Sequence, residues 1–146
     1  MAGGQPPVKS WGVDVERLTY FIITRKLFES AIWHENPHVL KLFIYLIGQA
    51  RHAKNPKNFP GFKVARGELV TSLGDIAEAN MYLKNQKLHK WSRARVLRML
   101  ENLVKNGYIE KISDTFGTHI KVCNYSRYQS PKTYTPNTCE TPAKHL

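Results

Sequence analysis

Acidic side chains are scarce in this sequence: 11 Asp and Glu stand against 22 Lys and Arg, a net charge of +11 in 146 residues. That excess disfavours a cationic partner and favours an anionic one, nucleic acid or an anionic membrane surface. Long apolar runs are missing too. The longest, residues 39–50, holds nine apolar residues in twelve and is too short to span a bilayer. Residues 1–10 are polar, with Pro and Gly and no apolar run behind a basic start, so no secretory signal is read there. Cysteine is limited to Cys123 and Cys139, 16 apart. Nothing in that spacing requires a disulfide, and a reducing cytoplasm is the simplest setting.

The signatures of catalysis are equally sparse. Gly67 and Gly74 are isolated and no Gly-Lys-Ser/Thr follows either, so no phosphate loop is formed. His34, His38, His52, His89, His119 and His145 do not pair with cysteine at zinc-ligand spacing. His34 and His38 are four apart, but Pro37 lies between them and is expected to start a helix. No carboxylate pair sits in an apolar context. The sequence therefore reads as a binding protein, not an enzyme, with no cofactor or metal implied.

What is present is one domain's worth of core and a clustered charge. The hydrophobic fraction of 42% and charged fraction of 23% are ordinary for a globular chain. Residues 1–35 carry four basic and four acidic side chains, and residues 36–80 carry six and three. Residues 81–107 carry seven basic (Lys84, Lys87, Lys90, Arg93, Arg95, Arg98, Lys105) and one acidic, Glu101. Charge spread evenly would be a solubility device; charge gathered in one segment implies a binding face.

Periodicity outlines the elements. Residues 18–23 read as a short strand or the lead-in to a helix. Leu27, Phe28, Ala31 and Ile32 recur at helical spacing and suggest a short first helix ending at Trp33. Asn36 can cap and Pro37 can open a helix over about residues 37–52, apolar on most of its circumference and therefore central. Residues 53–60 break the pattern, and 62–71 read as extended. Ser72 with Asp75 forms a capping box for a helix that buries Leu73, Ile76 and Ala77 and ends near Asn80. Residues 81–90 are a polar, Lys-rich connection.

Ser92 caps the next helix, whose apolar stripe is Val96, Leu97, Leu100, Leu103 and Val104, closed by Asn106-Gly107. Residues 108–113 and 118–123 then form a β-hairpin around a short Gly-containing turn. The predicted fold is mainly α with a small β-hairpin, a winged helix-turn-helix. It occupies residues 18–129, between a flexible 1–17 and a disordered tail or linker at 130–146.

In that layout the second helix enters the major groove of duplex DNA and the hairpin flanks it. At about 100° per residue, Arg95, Arg98, Asn102 and Lys105 fall opposite the apolar stripe. Arg95, Arg98 and Asn102 are candidates for base edges, since Arg reads guanine bidentately and Asn reads adenine. Ser92, Arg93, Lys90, Lys87 and Lys84 are candidates for phosphates near the helix N-terminus, where backbone N–H groups also attract anions. Lys105 is expected to be only solvated. The hairpin offers Thr115, His119 and Lys121, with Thr118; these either reach the flanking phosphate or are merely solvent-exposed. His119 alternates with Ile120 and Val122, which points it away from the core. Trp91 is expected to be a packing staple, Trp11, Trp33, Tyr125 and Tyr128 core residues, and Cys123 a small buried hydrophobe.

Three stretches add a resemblance. One is residues 66–73, Arg-Gly-Glu-Leu-Val-Thr-Ser-Leu, ahead of Ile76-Ala77-Glu78. The second is Trp91-Ser92-Arg93 with Val96 and Arg98, continuing through residues 100–110. The third is Asn124-Tyr125 followed by Tyr128-Gln129. Together they resemble the amino-terminal winged-helix domains of phage and mobile-element replication proteins, the replisome-organiser or DnaD-like group, over about residues 21–129. That resemblance implies a replication-initiation protein that binds duplex DNA, recruits a replicative helicase or its loader, and self-associates. A winged-helix transcriptional regulator and a protein-interaction scaffold are the alternatives, since one fold hosts all three.

Overall fold

Residues 20–129 are described by a computed structural model. The expectations for residues 1–17 with Trp11, for Leu18 and Thr19, and for 130–146 with Cys139 lie outside the described residues. Asn36 and Pro37 begin α1 (Pro37–Gln49) as their chemistry dictates. The Asn36 side chain accepts the His38 N–H at 2.9 Å, and Pro37 sits in the first turn, where an N–H is not needed. The helix buries Val39, Leu42, Phe43, Leu46 and Ile47 and is the spine of the core. It ends before His52 because Ala50 turns extended and Arg51 joins another element: its N–H donates to Glu68 O at 2.9 Å, and its carbonyl accepts the Gly67 N–H at 2.7 Å.

The chain continues through β1 (Lys57–Phe59), β2 (Phe62–Val64) and β3 (Glu68–Thr71) to α2 (Leu73–Ala79). Then come β4 (Tyr82–Lys84), β5 (Lys87–His89), α3 (Arg93–Lys105), β6 (Ile109–Ser113), β7 (Thr118–Val122) and a single turn, α4 (Tyr125–Tyr128). β3, β7 and β6 form an antiparallel sheet in that order, while β1–β2 and β4–β5 are separate hairpins. The inner face of the sheet, with Ile109, Ile120 and Val122, packs with α1, Ile76 of α2 and Val96, Leu100 and Leu103 of α3 in one cluster.

The fold class expected from sequence is corrected. The described residues hold seven strands in three antiparallel sheets, 24% strand against 42% helix, so the chain is mixed α/β and not mainly α. The helix-turn-helix reading fails at the same place: α2 and α3 are joined by a complete hairpin, β4–β5, where residues 81–90 read as a polar connection. Polar composition hid it, because both faces of a three-residue strand can be solvated and then no alternation of apolar and polar residues appears. The first helix is corrected too, to two 3₁₀ turns, Arg25–Glu29 and Ala31–His34. Ser30 separates them; it is extended and buried, with its Oγ donating to Leu27 O at 2.7 Å in place of a continued helix. Residues 20–23 are neither strand nor helix. They are held by Gln129, whose side chain accepts the Ile22 N–H and donates to Ile22 O, each at 2.8 Å.

Candidate nucleic-acid interface

Helix α3 starts at the expected cap: Ser92 Oγ accepts the Arg95 N–H at 3.2 Å. That hydroxyl acceptor serves the helix, which leaves Ser92 its O–H and the adjoining free backbone N–H groups for an anion. The buried stripe is Val96, Met99, Leu100 and Leu103. Val104, assigned to the stripe from sequence, is 40% exposed, and Met99 takes its place. The substitution of one for the other rotates the helix about its axis. The outward line becomes Ala94, Arg98, Glu101 and Lys105, and Arg95 and Asn102 move to a half-buried margin.

The consequences differ residue by residue. Arg98 is exposed and makes no ion pair among the described residues. Lys105, read as only solvated, shares its line, with Glu101 between them. Asn102 Oδ1 already accepts from Asn106 Nδ2 at 2.8 Å, so one of its two acceptor lone pairs is in use before any base is met. Arg93 leans toward α2, its Nη2 3.6 Å from where a Cβ on Gly74 would sit. Arg95 faces His38 of α1, where its charge and that of Lys41 add to burial in lowering the His38 pKa.

The β4–β5 hairpin brings Lys84 and Lys87 together. They are direct cross-strand partners, both exposed, as are Leu83 and Leu88 one step back. Like charges opposed in this way are destabilising unless an anion lies nearby. The turn is Asn85-Gln86 with φ of 53° and 66°, the two left-handed residues a tight hairpin needs. Its base is anchored by Tyr82, whose ring lies 4.8 Å from His38 and 5.6 Å from His89, and by Lys41 Nζ, which donates to Asn80 O and Met81 O. Lys90 lies 3.6 Å from Glu78, an exposed pair of little energetic weight.

The β6–β7 hairpin fits its assignment less well. Thr115 is exposed at the turn, its N–H donating to Ser113 Oγ at 3.0 Å. Lys121 is exposed but stands directly across from Glu68 on β3 and Glu110 on β6, so two acids flank its charge. His119 is corrected outright. It is buried, with Nε2 2.8 Å from Glu68 Oε1 and the Phe62 ring 6.3 Å away, and cannot reach a phosphate. Alternation pointed it outward; it is enclosed because the β1–β2 hairpin covers that face of the sheet. Thr118 is buried with it.

Trp91 is buried as expected, as are Tyr125 and Tyr128, but Trp33 is 41% exposed and packs edge-on against Phe28. Cys123 is half-buried; burial and Glu110 push its thiol pKa up, with Lys121 opposing. Among the described residues no group of three or more His, Cys, Asp or Glu could hold a metal ion, and no helix is long and apolar enough to cross a membrane. No family model, curated protein or solved structure matches the chain. Sequence reasoning missed a second basic stretch: from Asn36 to Gly67 there is no acidic residue, while Lys41, Arg51, Lys54, Lys57, Lys63 and Arg66 are basic. Counting acids alone would have found it.

A pH prediction follows from the two shifted histidines. His38 is lowered by burial, then Arg95 and Lys41, and His52 by burial, then Arg66. The folded state therefore resists protons that the unfolded chain accepts. The stabilisation is complete above the unfolded value of about 6.5 and is lost as the pH falls below it. A lower Tm is expected at pH about 5.5 than at about 7.5. His38→Gln with His52→Gln should flatten that dependence; an unchanged slope in thermal melts would count against it.

Proposed function

We propose that this chain binds double-stranded DNA, with the outward face of α3 in the major groove and the β4–β5 hairpin on a flanking phosphate backbone. The observation that carries the reading is the Lys84–Lys87 pair, two cations without an ion-pair partner among the described residues, held opposite each other at an exposed hairpin end. Arg93, Arg98 and Lys105 extend the same charge along α3, with Lys90 just ahead of it beside Glu78, and Arg98 is the outermost candidate for a base edge. The role is binding and not catalysis, in the cytoplasm. Initiation of replication, with a replicative helicase or its loader as partner and self-association on the DNA, rests on the motif resemblance alone. A helicase, loader or single-strand-binding gene beside this one would favour it over transcriptional regulation.

The test is duplex affinity as a function of salt. Lys84→Ala with Lys87→Ala should lower the slope of log affinity against log salt by about 2, since each lost phosphate contact removes about 0.9. Arg95→Ala with Arg98→Ala should also weaken binding and relax base preference at the position Arg98 reads. Duplex binding that keeps its affinity and its salt slope in both variants would mean the site lies elsewhere.

A further inference from the structure

The β1–β2 hairpin and the β6–β7 turn meet through three aromatic rings. Phe59 and Phe62 stack with centroids 4.8 Å apart and planes 9° from parallel; Phe62 and Phe116 stack at 4.8 Å and 20°. Lys57 Nζ lies 5.4 Å from the Phe59 centroid. The outer rings are open to solvent, Phe59 by 37% and Phe116 by 51%. Lys54, Lys57 and Lys63 on the same stretch are exposed, with no acidic residue among residues 36–67.

We propose that this ladder is a second nucleic-acid site, for single-stranded DNA, whose bases continue the stack on Phe116 and Phe59 while Lys57, which shares the ring face of the hairpin and swings off Phe59 when a base arrives, and Lys54 meet the backbone. Near-parallel rings present flat faces in an offset stack, and stacking on aromatic side chains in a cationic setting is how unpaired strands are held without sequence preference. A protein partner with an apolar face would not call for Lys54 and Lys57 beside the rings, and the acid on the β6–β7 turn, Asp114, is already paired with Lys111. The middle ring is fixed for this purpose by His119, itself held by Glu68. The site is separate from α3 and the β4–β5 hairpin, so it does not depend on the duplex-binding proposal.

The outer rings can be changed without undocking the hairpin, which Phe62 holds. The probes are an oligothymidine of about 12 nucleotides, the same length of abasic strand, and a blunt duplex, with the full chain. Phe59→Leu with Phe116→Leu should weaken oligothymidine binding about 10-fold to 100-fold and leave duplex binding unchanged. Phe59→Tyr with Phe116→Tyr should restore it, and the unaltered protein should bind the abasic strand as weakly as the Leu variant binds oligothymidine. Circular dichroism and Tm verify that both variants fold. Equal affinity of the unaltered protein for thymidine and abasic strands would overturn the proposal. So would a Leu variant that loses duplex and single-strand binding alike, or one that loses only self-association in sedimentation, which would make the ladder a contact between copies of the chain.

Discussion

Gly67→Ala is expected to destabilise the fold by about 2–5 kcal/mol, and Gly107→Ala by only about 1–2 kcal/mol. The two glycines share a backbone conformation, with φ of +84° and +81°. They differ in what surrounds them. A Cβ on Gly107 would meet nothing within 4 Å, whereas one on Gly67 would lie 2.8 Å from the Tyr125 Cβ. Gly107 closes α3, its N–H bonded to Val104 O, and faces solvent. Gly67 is a junction: its N–H donates to Arg51 O at 2.7 Å and its carbonyl accepts the Val122 N–H at 2.8 Å. It thus ties the end of α1 to β7 beneath α4, and the chain cannot retreat from Tyr125 without breaking those bonds. Alanine at 107 carries the conformational cost alone, and alanine at 67 carries that cost plus crowding. At roughly 4 °C per kcal/mol, thermal melts should separate the variants clearly. Equal losses would mean Tyr125 yields freely and that the junction is not rigid.

How much of this was legible in the sequence depends on the range of the determining contact. The caps were legible because their chemistry is local: Asn36, Ser72 and Ser92 each bond a backbone N–H two or three residues on. The β6–β7 hairpin and α1 were legible from period and length. The β1–β2 and β4–β5 hairpins were not, because three-residue strands carry too little pattern and their order comes from distant partners. Phe62, lodged against His119 and Phe116 of the β6–β7 hairpin, docks the first, and His38 and Trp91, through Tyr82, pin the second. That omission propagated into the site. Without β1–β2 over the sheet, His119 had no reason to be enclosed. Without the correct rotation of α3, Arg95 and Asn102 counted as outward alongside Arg98 and Lys105.

The charge survived better than its geometry. Residues 81–107 are basic in the chain and remain so in space, but beside Lys90, which faces Glu78, and Arg93, which leans on α2, the other five cations separate into three settings. Lys84 and Lys87 oppose each other on the hairpin, Arg98 and Lys105 line the outside of α3, and Arg95 turns toward His38. On the proposed duplex-binding reading, only the first two sets face outward to a duplex, so the hairpin variant and not the helix variant is expected to change the salt slope most.

Trp91→Ala should cost about 3–5 kcal/mol, and Trp91→Phe about 1 kcal/mol or less. Trp91 is 3% exposed and sits where β5 ends and α3 begins. Its ring meets His38 edge-on at 5.3 Å and Tyr82 at 6.4 Å, so it holds together α1, the hairpin base and the α3 cap. Removing the ring opens a cavity there, with the loss typical of large aromatic truncations. Phenylalanine behaves differently because of an atom that is not satisfied. The Trp91 Nε1–H is buried with no hydrogen-bond partner among the described residues. A buried donor without a partner costs about 1–3 kcal/mol, so deleting it offsets much of the volume lost in the smaller ring. Urea unfolding gives the two stabilities, and trypsin reports the hairpin directly, since Lys84 and Lys87 are cleavage sites. Cleavage there should accelerate in Trp91→Ala and stay slow in Trp91→Phe. If phenylalanine loses as much as alanine, the indole N–H has a partner after all. If alanine loses stability but the hairpin resists trypsin, then Lys41 and Tyr82 hold β4–β5 without Trp91, and the tryptophan serves the core alone.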